Sequence, residues 1–188
     1  MKKNILIIII SIIIVALGVG FFIYTLTVPK QNAVSKNNSA SAEETEISGT
    51  KDIEGVTHSE GIVLTKSDKT EVNLDEYKNK PMMLLFFNKE NEDSIKVLKK
   101  VEEMYKNYEE KVNFFMINTS TEVDEELENE YTLEIYYDFN QEVAKSYNVE
   151  EVPATIYIDE LNKFLNAKTG FTTTDALEAN LDILSGNI

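Results

Sequence analysis

Apolar positions fall along this chain in three regimes: one unbroken block, a sparse polar stretch, and a long region whose hydrophobic period changes from segment to segment. The block is Ile5 to Tyr24, 20 residues in which Ser11 is the only ordinary polar side chain. That length suffices for one helix to cross a bilayer. Lys2 and Lys3 precede it and Pro29 closes it, so residues 1–29 read as an N-terminal signal-anchor transmembrane helix. The positive-inside rule then puts the N-terminus in the cytoplasm and the remaining chain on the extracytoplasmic side of a single-pass membrane protein. A cleaved secretory signal has a shorter apolar core, about 7–15 residues, ending at a small-residue cleavage site. Here Gly18 and Gly20 are followed by more apolar residues, Phe21 to Tyr24, which favours retention.

Residues 30–60 form the sparse regime, rich in Ser, Asn, Ala, Thr and Glu, as in QNAVSKNNSASAEETE. Such a segment buries too little apolar surface to offset its ordering entropy. It is expected to be a flexible linker, and as a coil of ~30 residues it spans roughly 30 Å r.m.s.. The only histidine, His58, lies near its end and is expected to be solvated.

Residues 61–188 carry the periodic patterns of a folded domain. IVLTKSDKTEVNL predicts two short strands around a Ser67-Asp68-Lys69 turn, and Leu74 to Lys80 a single helical turn. The run MMLLFF after Pro81 has the length of a fully buried strand. From Asn91 to Tyr108 the period lengthens: Ser94, Val97, Leu98, Val101, Met104, Tyr105 and Tyr108 recur at spacings of three and four, marking one helix face. VNFFMINT predicts a second buried strand, Glu122 to Glu130 an acidic helix, and LEIYYD a third strand. Gln141 to Tyr147 predicts a helix with Val143, Ala144 and Tyr147 inward. ATIYID and KFLNAKTG predict a hairpin turning at Asp159–Asn162, and TTTDALEANLDIL a closing helix capped by Thr or Asp. Strands alternating with helices, then a hairpin and a helix, imply an α/β fold: a mixed central sheet flanked by helices on both faces.

Charge and composition narrow the chemistry. All 18 basic residues are lysine; beyond Lys3 there are 16 lysines against 33 acids, a formal charge of −17. Such a surface repels nucleic acid and anionic head groups, so no nucleic-acid partner is expected. Without arginine the chain has no bidentate phosphate clamp. Without cysteine it has no disulfide, no thiolate nucleophile, no Cys₄ zinc site and no lipid attachment at Cys.

Three stretches in order carry a resemblance to the thioredoxin superfamily, specifically its membrane-anchored TlpA/ResA-like branch. IVLTKSDKTEVNLDEYKNKPMMLLFF resembles its entry hairpin and central strand. YNVEEVPATIYID is similar to the segment around its cis-proline. KFLNAKTGFTTTDALEANL resembles its last strand and closing helix. The resemblance implies a thioredoxin-like fold and a cis Val152–Pro153 bond. It also implies a peptide-binding groove between the start of the long helix and the proline loop. Counting on from Phe86 and Phe87, the family's Cys-x-x-Cys falls on Asn91, Glu92, Asp93 and Ser94, so the redox pair is missing. Asn91 is instead a good helix N-cap, and acids in the first turn favour the helix dipole. The candidate groove is therefore Asn91, Glu92, Asp93, Ser94, Val152 and Pro153, with no catalytic residue, no cofactor and no metal.

Other constellations read as structure. TEVDEELENE lacks the Asp-x-Asp-x-Asp-Gly spacing of a calcium loop. Glu150 and Glu151 would serve acid–base work only inside a cleft. Phe86, Phe87, Phe114, Phe115, Tyr136 and Tyr137 lie on predicted strands as core. The expected function is non-catalytic capture of a protein or peptide partner in the cell envelope. Two alternatives stand beside it: an accessory role in an extracytoplasmic thiol–disulfide or cytochrome maturation system, and a structural subunit using another face.

Overall fold

The computed structural model describes residues 49–56 and 60–187. The expected membrane span Ile5–Tyr24 and His58 lie outside them. Among the described residues no helix is long and apolar enough to cross a membrane.

Among the described residues, eight strands and four α-helices follow one another: β1 (Lys51–Asp52), β2 (Val63–Thr65), β3 (Glu71–Asn73), a 3₁₀ turn (Leu74–Tyr77), β4 (Met82–Phe87), α1 (Glu92–Tyr108), β5 (Asn113–Asn118), α2 (Glu125–Glu130), β6 (Ile135–Tyr137), α3 (Glu142–Ser146), β7 (Ala154–Ile158), β8 (Phe164–Thr169) and α4 (Thr174–Ser185). They form one sheet in the order β1-β8-β7-β4-β5-β6-β2-β3. The pairs β4–β5 and β5–β6 are parallel. The pairs β4–β7, β7–β8, β2–β6, β2–β3 and β1–β8 are antiparallel, so the sheet is mixed.

Strand β4 shows why the fold is as it is. All six of its residues are buried, because both sheet faces are covered. With a side-chain period of two, Met82, Leu84 and Phe86 go to one core with Phe115, Ile117, Ala144, Tyr147 and Ile156. Met83, Leu85 and Phe87 go to the other, with Val97, Leu98 and Val101 of α1 and Leu177, Leu181 and Leu184 of α4. Helices thus lie on both faces. The helical stripe read from the sequence is the buried one: Ser94, Val97, Leu98, Val101, Met104 and Tyr108 of α1 are all buried. Tyr105, at the stripe's margin, is partly buried and meets Phe114 edge-on with ring centroids 5.4 Å apart.

Two starting boundaries differ from the sequence reading by more than two residues. Helix α2 starts at Glu125 rather than Glu122, because the Asp124 carboxylate accepts from Leu127 N and acts as N-cap. The flexible linker expected over 30–60 gives way to structure in its last part. Lys51 and Asp52 pair with Thr169 and Lys168 on the outer edge of β8, and Val56 is buried. This short strand depends on an edge 116 to 118 residues further along the chain, by the pairs Asp52–Lys168 and Lys51–Thr169; local composition carries no trace of that pairing. The folded domain therefore begins before residue 61.

Candidate functional site

The site lies at the C-terminal end of β4, where the chain turns through Asn88–Glu90 into α1. Asn88 shapes this turn: its Oδ1 accepts from Glu90 N at 2.9 Å and its carbonyl from Asn91 N at 3.1 Å. Asn91, in extended backbone, caps α1 by accepting from Ser94 N at 2.9 Å. Its Nδ2 simultaneously donates to the carbonyl of Val152 at 3.0 Å. One short side chain thus bridges the helix start and the proline loop, 61 residues apart. Ser94 is fully buried, and its Oγ accepts from Asn88 N at 3.3 Å.

The second wall is the loop from Tyr147 to Pro153. The Val152–Pro153 peptide is cis, as the resemblance implies. Pro153 is buried and Val152 half-buried. The Pro153 carbonyl accepts from Gly170 N at 2.8 Å and from Thr169 Oγ1 at 3.3 Å, and Thr169 Oγ1 also lies 3.0 Å from the Glu151 carbonyl. The structure therefore brings together Asn91, Ser94, Val152 and Pro153. Glu92 stays exposed and Asp93 half-exposed on the first turn of α1.

The electrostatics favour helix stability over nucleophilic reactivity. Glu92 and Asp93 sit in the positive end of the α1 dipole, an arrangement worth about 0.3–1 kcal/mol per acid at an exposed site. Asp93 pairs with Lys96 at 3.0 Å, and this hydrogen bond raises the Lys96 pKa above its ordinary value. Lys89 pairs with Asp124, the α2 cap, which holds the Asp124 carboxyl below its usual range and the Lys89 ammonium above its own. Asn91 and the buried, hydrogen-bonded Ser94 stand at the positions that the resemblance assigns to the cysteine pair, where thiol chemistry would need a thiolate. With no cysteine in the chain, disulfide exchange has no attacking atom.

Some contributors were not singled out from the sequence. Asn148 has a left-handed φ of 55° and donates from Nδ2 to the carbonyls of Gly55 (3.1 Å) and Glu54 (3.3 Å). Gly170 has φ 98°, and a Cβ there would sit 2.6 Å from the Gly49 carbonyl oxygen. The signal for Asn148 was its type, since Asn tolerates this conformation better than most residues. Glu150 and Glu151 line a cleft of about 550 Å³ shared with Lys51, Glu54 and Asn148. The aromatic set is core as read, with Phe114 only partly buried.

These elements and this sheet order define a thioredoxin-like fold. The AhpC/TSA family model matches residues 59–164, and the chain belongs to that family. Solved structures similar to it include the exposed lipoprotein thioredoxin Etrx1 of Streptococcus pneumoniae. That match has 20% identity and TM-score 0.57, over 65% of this chain and 98% of that one. A secreted disulfide oxidoreductase of Mycobacterium tuberculosis, homologous to E. coli DsbE, matches at 17% identity and TM-score 0.57, over 66% and 96%. StoA of Bacillus subtilis matches at 17% identity and TM-score 0.53, over 63% and 93%. At these identities the likeness is one of fold. No curated protein matches the chain.

Proposed function

We propose that this chain is a membrane-tethered, extracytoplasmic thioredoxin-like protein that holds a protein or peptide partner in the groove between α1 and the proline loop without reacting with it. The observation that carries this reading is the double use of Asn91. The residue at the first cysteine position is committed to capping α1 and to bridging Val152. Ser94, at the second, is buried under Asn88. A site kept as a shape, with its reactive atoms replaced by structural ones, suits recognition. Tethering rests on the apolar span Ile5–Tyr24 behind Lys2 and Lys3, and the side of the membrane on the charge rule.

Two assays test the proposal. The purified full chain is expected to leave insulin disulfides intact, at the rate of buffer alone. Partner capture from membranes is expected to weaken on Asp93→Lys and to persist on Glu160→Lys, at the hairpin tip. Capture that ignores both changes would move the interaction to another face. A second reading, an accessory part in a thiol–disulfide or cytochrome maturation system, is favoured by the disulfide oxidoreductase among the similar structures. Under that reading the captured partner carries cysteines whose oxidation state changes when this chain is removed.

A further inference from the structure

We infer that residues 49–56 are a strap whose docking on β8 sets the shape of the proline loop, coupling the segment that precedes the domain to the candidate groove. This rests on the reading of that groove as the binding site and adds to it a means of regulation.

The strap holds to the domain along its length. Gly49 N donates to the Phe171 carbonyl at 3.1 Å, Lys51 and Asp52 pair with Thr169 and Lys168, and Ile53 N donates to the Ala167 carbonyl at 3.1 Å. Asp52 pairs with Lys168, Ile53 packs on the core, and Val56 is buried in it.

What makes this more than an edge strand is where the β8 partners lead. Thr169 and Gly170, against which Gly49–Lys51 lie, are the residues that hold Pro153 and Glu151. At the other end of the same loop, the Asn148 amide holds the strap's own carbonyls at Glu54 and Gly55. The loop is thus held at its Pro153 end by the β8 residues on which the strap lies and at Asn148 by the strap itself, and it carries Val152, the acceptor of Asn91 Nδ2. Strap and loop both line the cleft of about 550 Å³, and beside it Ile53 and Val56 of the strap share one core with Tyr147, Val149 and Val152 of the loop. At Gly170 the contact leaves no room for a Cβ: the Gly49 carbonyl carbon is 3.3 Å from where it would stand, and the oxygen closer still. Only two hydrogen bonds, Gly49 N to Phe171 O and Gly170 N to Pro153 O, separate the start of the strap from the proline. With the strap docked, Val152 is presented to Asn91. With it released, the β8 edge is open and Asn148 loses its acceptors, so the loop is held from one side only. Binding in the groove and docking of the strap must then favour each other by the same factor.

Amide hydrogen exchange on the full chain in detergent micelles tests this, and it requires no partner. A groove that binds nothing would therefore leave the result unaltered, and failure of this inference is separable from failure of the binding assignment. Ile53→Pro removes the donor to Ala167, and Asp52→Lys replaces the ion pair with Lys168 by repulsion. Both changes lie outside the loop. Each should speed exchange at Gly170 N and across residues 149–154 by about tenfold or more, a local opening, with β4 and α1 amides as slow as in the parent. Faster exchange confined to residues 49–56 and the β8 edge would overturn the inference, since the strap would then only lie on the sheet. Faster exchange throughout β4 and α1 would also overturn it, since the strap would then be part of the global fold.

Discussion

The side-chain amide of Asn91 donates to the Val152 carbonyl at 3.0 Å while its oxygen accepts from Ser94 N at 2.9 Å. The two bonds separate by substitution. Asn91→Ala loses the cap and the bridge and should cost about 1–2 kcal/mol in urea unfolding. Asn91→Asp keeps the cap but turns a carboxylate oxygen toward the Val152 carbonyl. It should cost about 0.5–1.5 kcal/mol, with the change in exchange concentrated in the proline loop. No measurable effect of Asn91→Asp, beside a measurable loss in Asn91→Ala, would mean that the bridge holds nothing.

Asp138 plays a comparable part at α3. It is buried and accepts from Val143 N at 3.2 Å and Ala144 N at 2.8 Å, where the N-cap residue Gln141 makes no side-chain cap bond. Asp138→Ala leaves two buried donors unmet and should destabilise by about 1–3 kcal/mol per donor at most. Asp138→Asn, which keeps one acceptor, should recover part of that loss. A shift in the urea midpoint at unchanged slope is the measurement.

Core packing predicts a larger effect at β4. Phe86 is fully buried and meets Tyr147 at 6.0 Å between ring centroids. Phe86→Ala should cost about 3–5 kcal/mol, read from chemical denaturation. A loss below about 1 kcal/mol would mean that the core had collapsed around the change.

Alkaline pH should unfold the domain within a definite window. Burial pushes Tyr108 up to about 12, aided by its hydrogen bond to Asp182. Burial also takes Tyr131 and Tyr137 to about 12. A phenol whose pKa is higher folded than unfolded stabilises the fold at pH values below the unfolded value, about 10. That contribution is lost as pH rises through the folded value. Stability should therefore hold to about pH 10 and fall from there upward, through these three phenols and then through the more deeply buried Tyr136, Tyr147 and Tyr157, which burial raises further. Tyr108→Phe should make the fall shallower, in melting curves recorded at half-unit steps.

Much of this architecture was legible in the chain. MMLLFF reads as a buried strand because six consecutive apolar residues need cover on both faces. Helix α1 reads from a stripe that its own neighbours enforce. The pairing of Asn91 with the proline loop follows from a resemblance, but the Nδ2–Val152 bond does not, because it depends on a side-chain rotamer and a partner 61 residues away. The strap was illegible for a related reason. Ile53 and Val56 are isolated apolar residues in a polar stretch, and their burial depends on the outer edge of β8 and the core beside it. Helix α2 was read three residues too long because acids before a cap resemble acids after it.

The central claim is that the face formed by α1 and the proline loop meets a partner without chemistry. The most direct measurement is site-specific photo-cross-linking of the full chain in intact cells, with the probe at Glu92, exposed at the start of α1, or at Glu160, exposed at the hairpin tip. A discrete adduct from Glu92 is predicted, resistant to reductant, lost on Asp93→Lys and absent from Glu160. An adduct from Glu160 alone, or one from Glu92 that is indifferent to Asp93→Lys, would contradict the account.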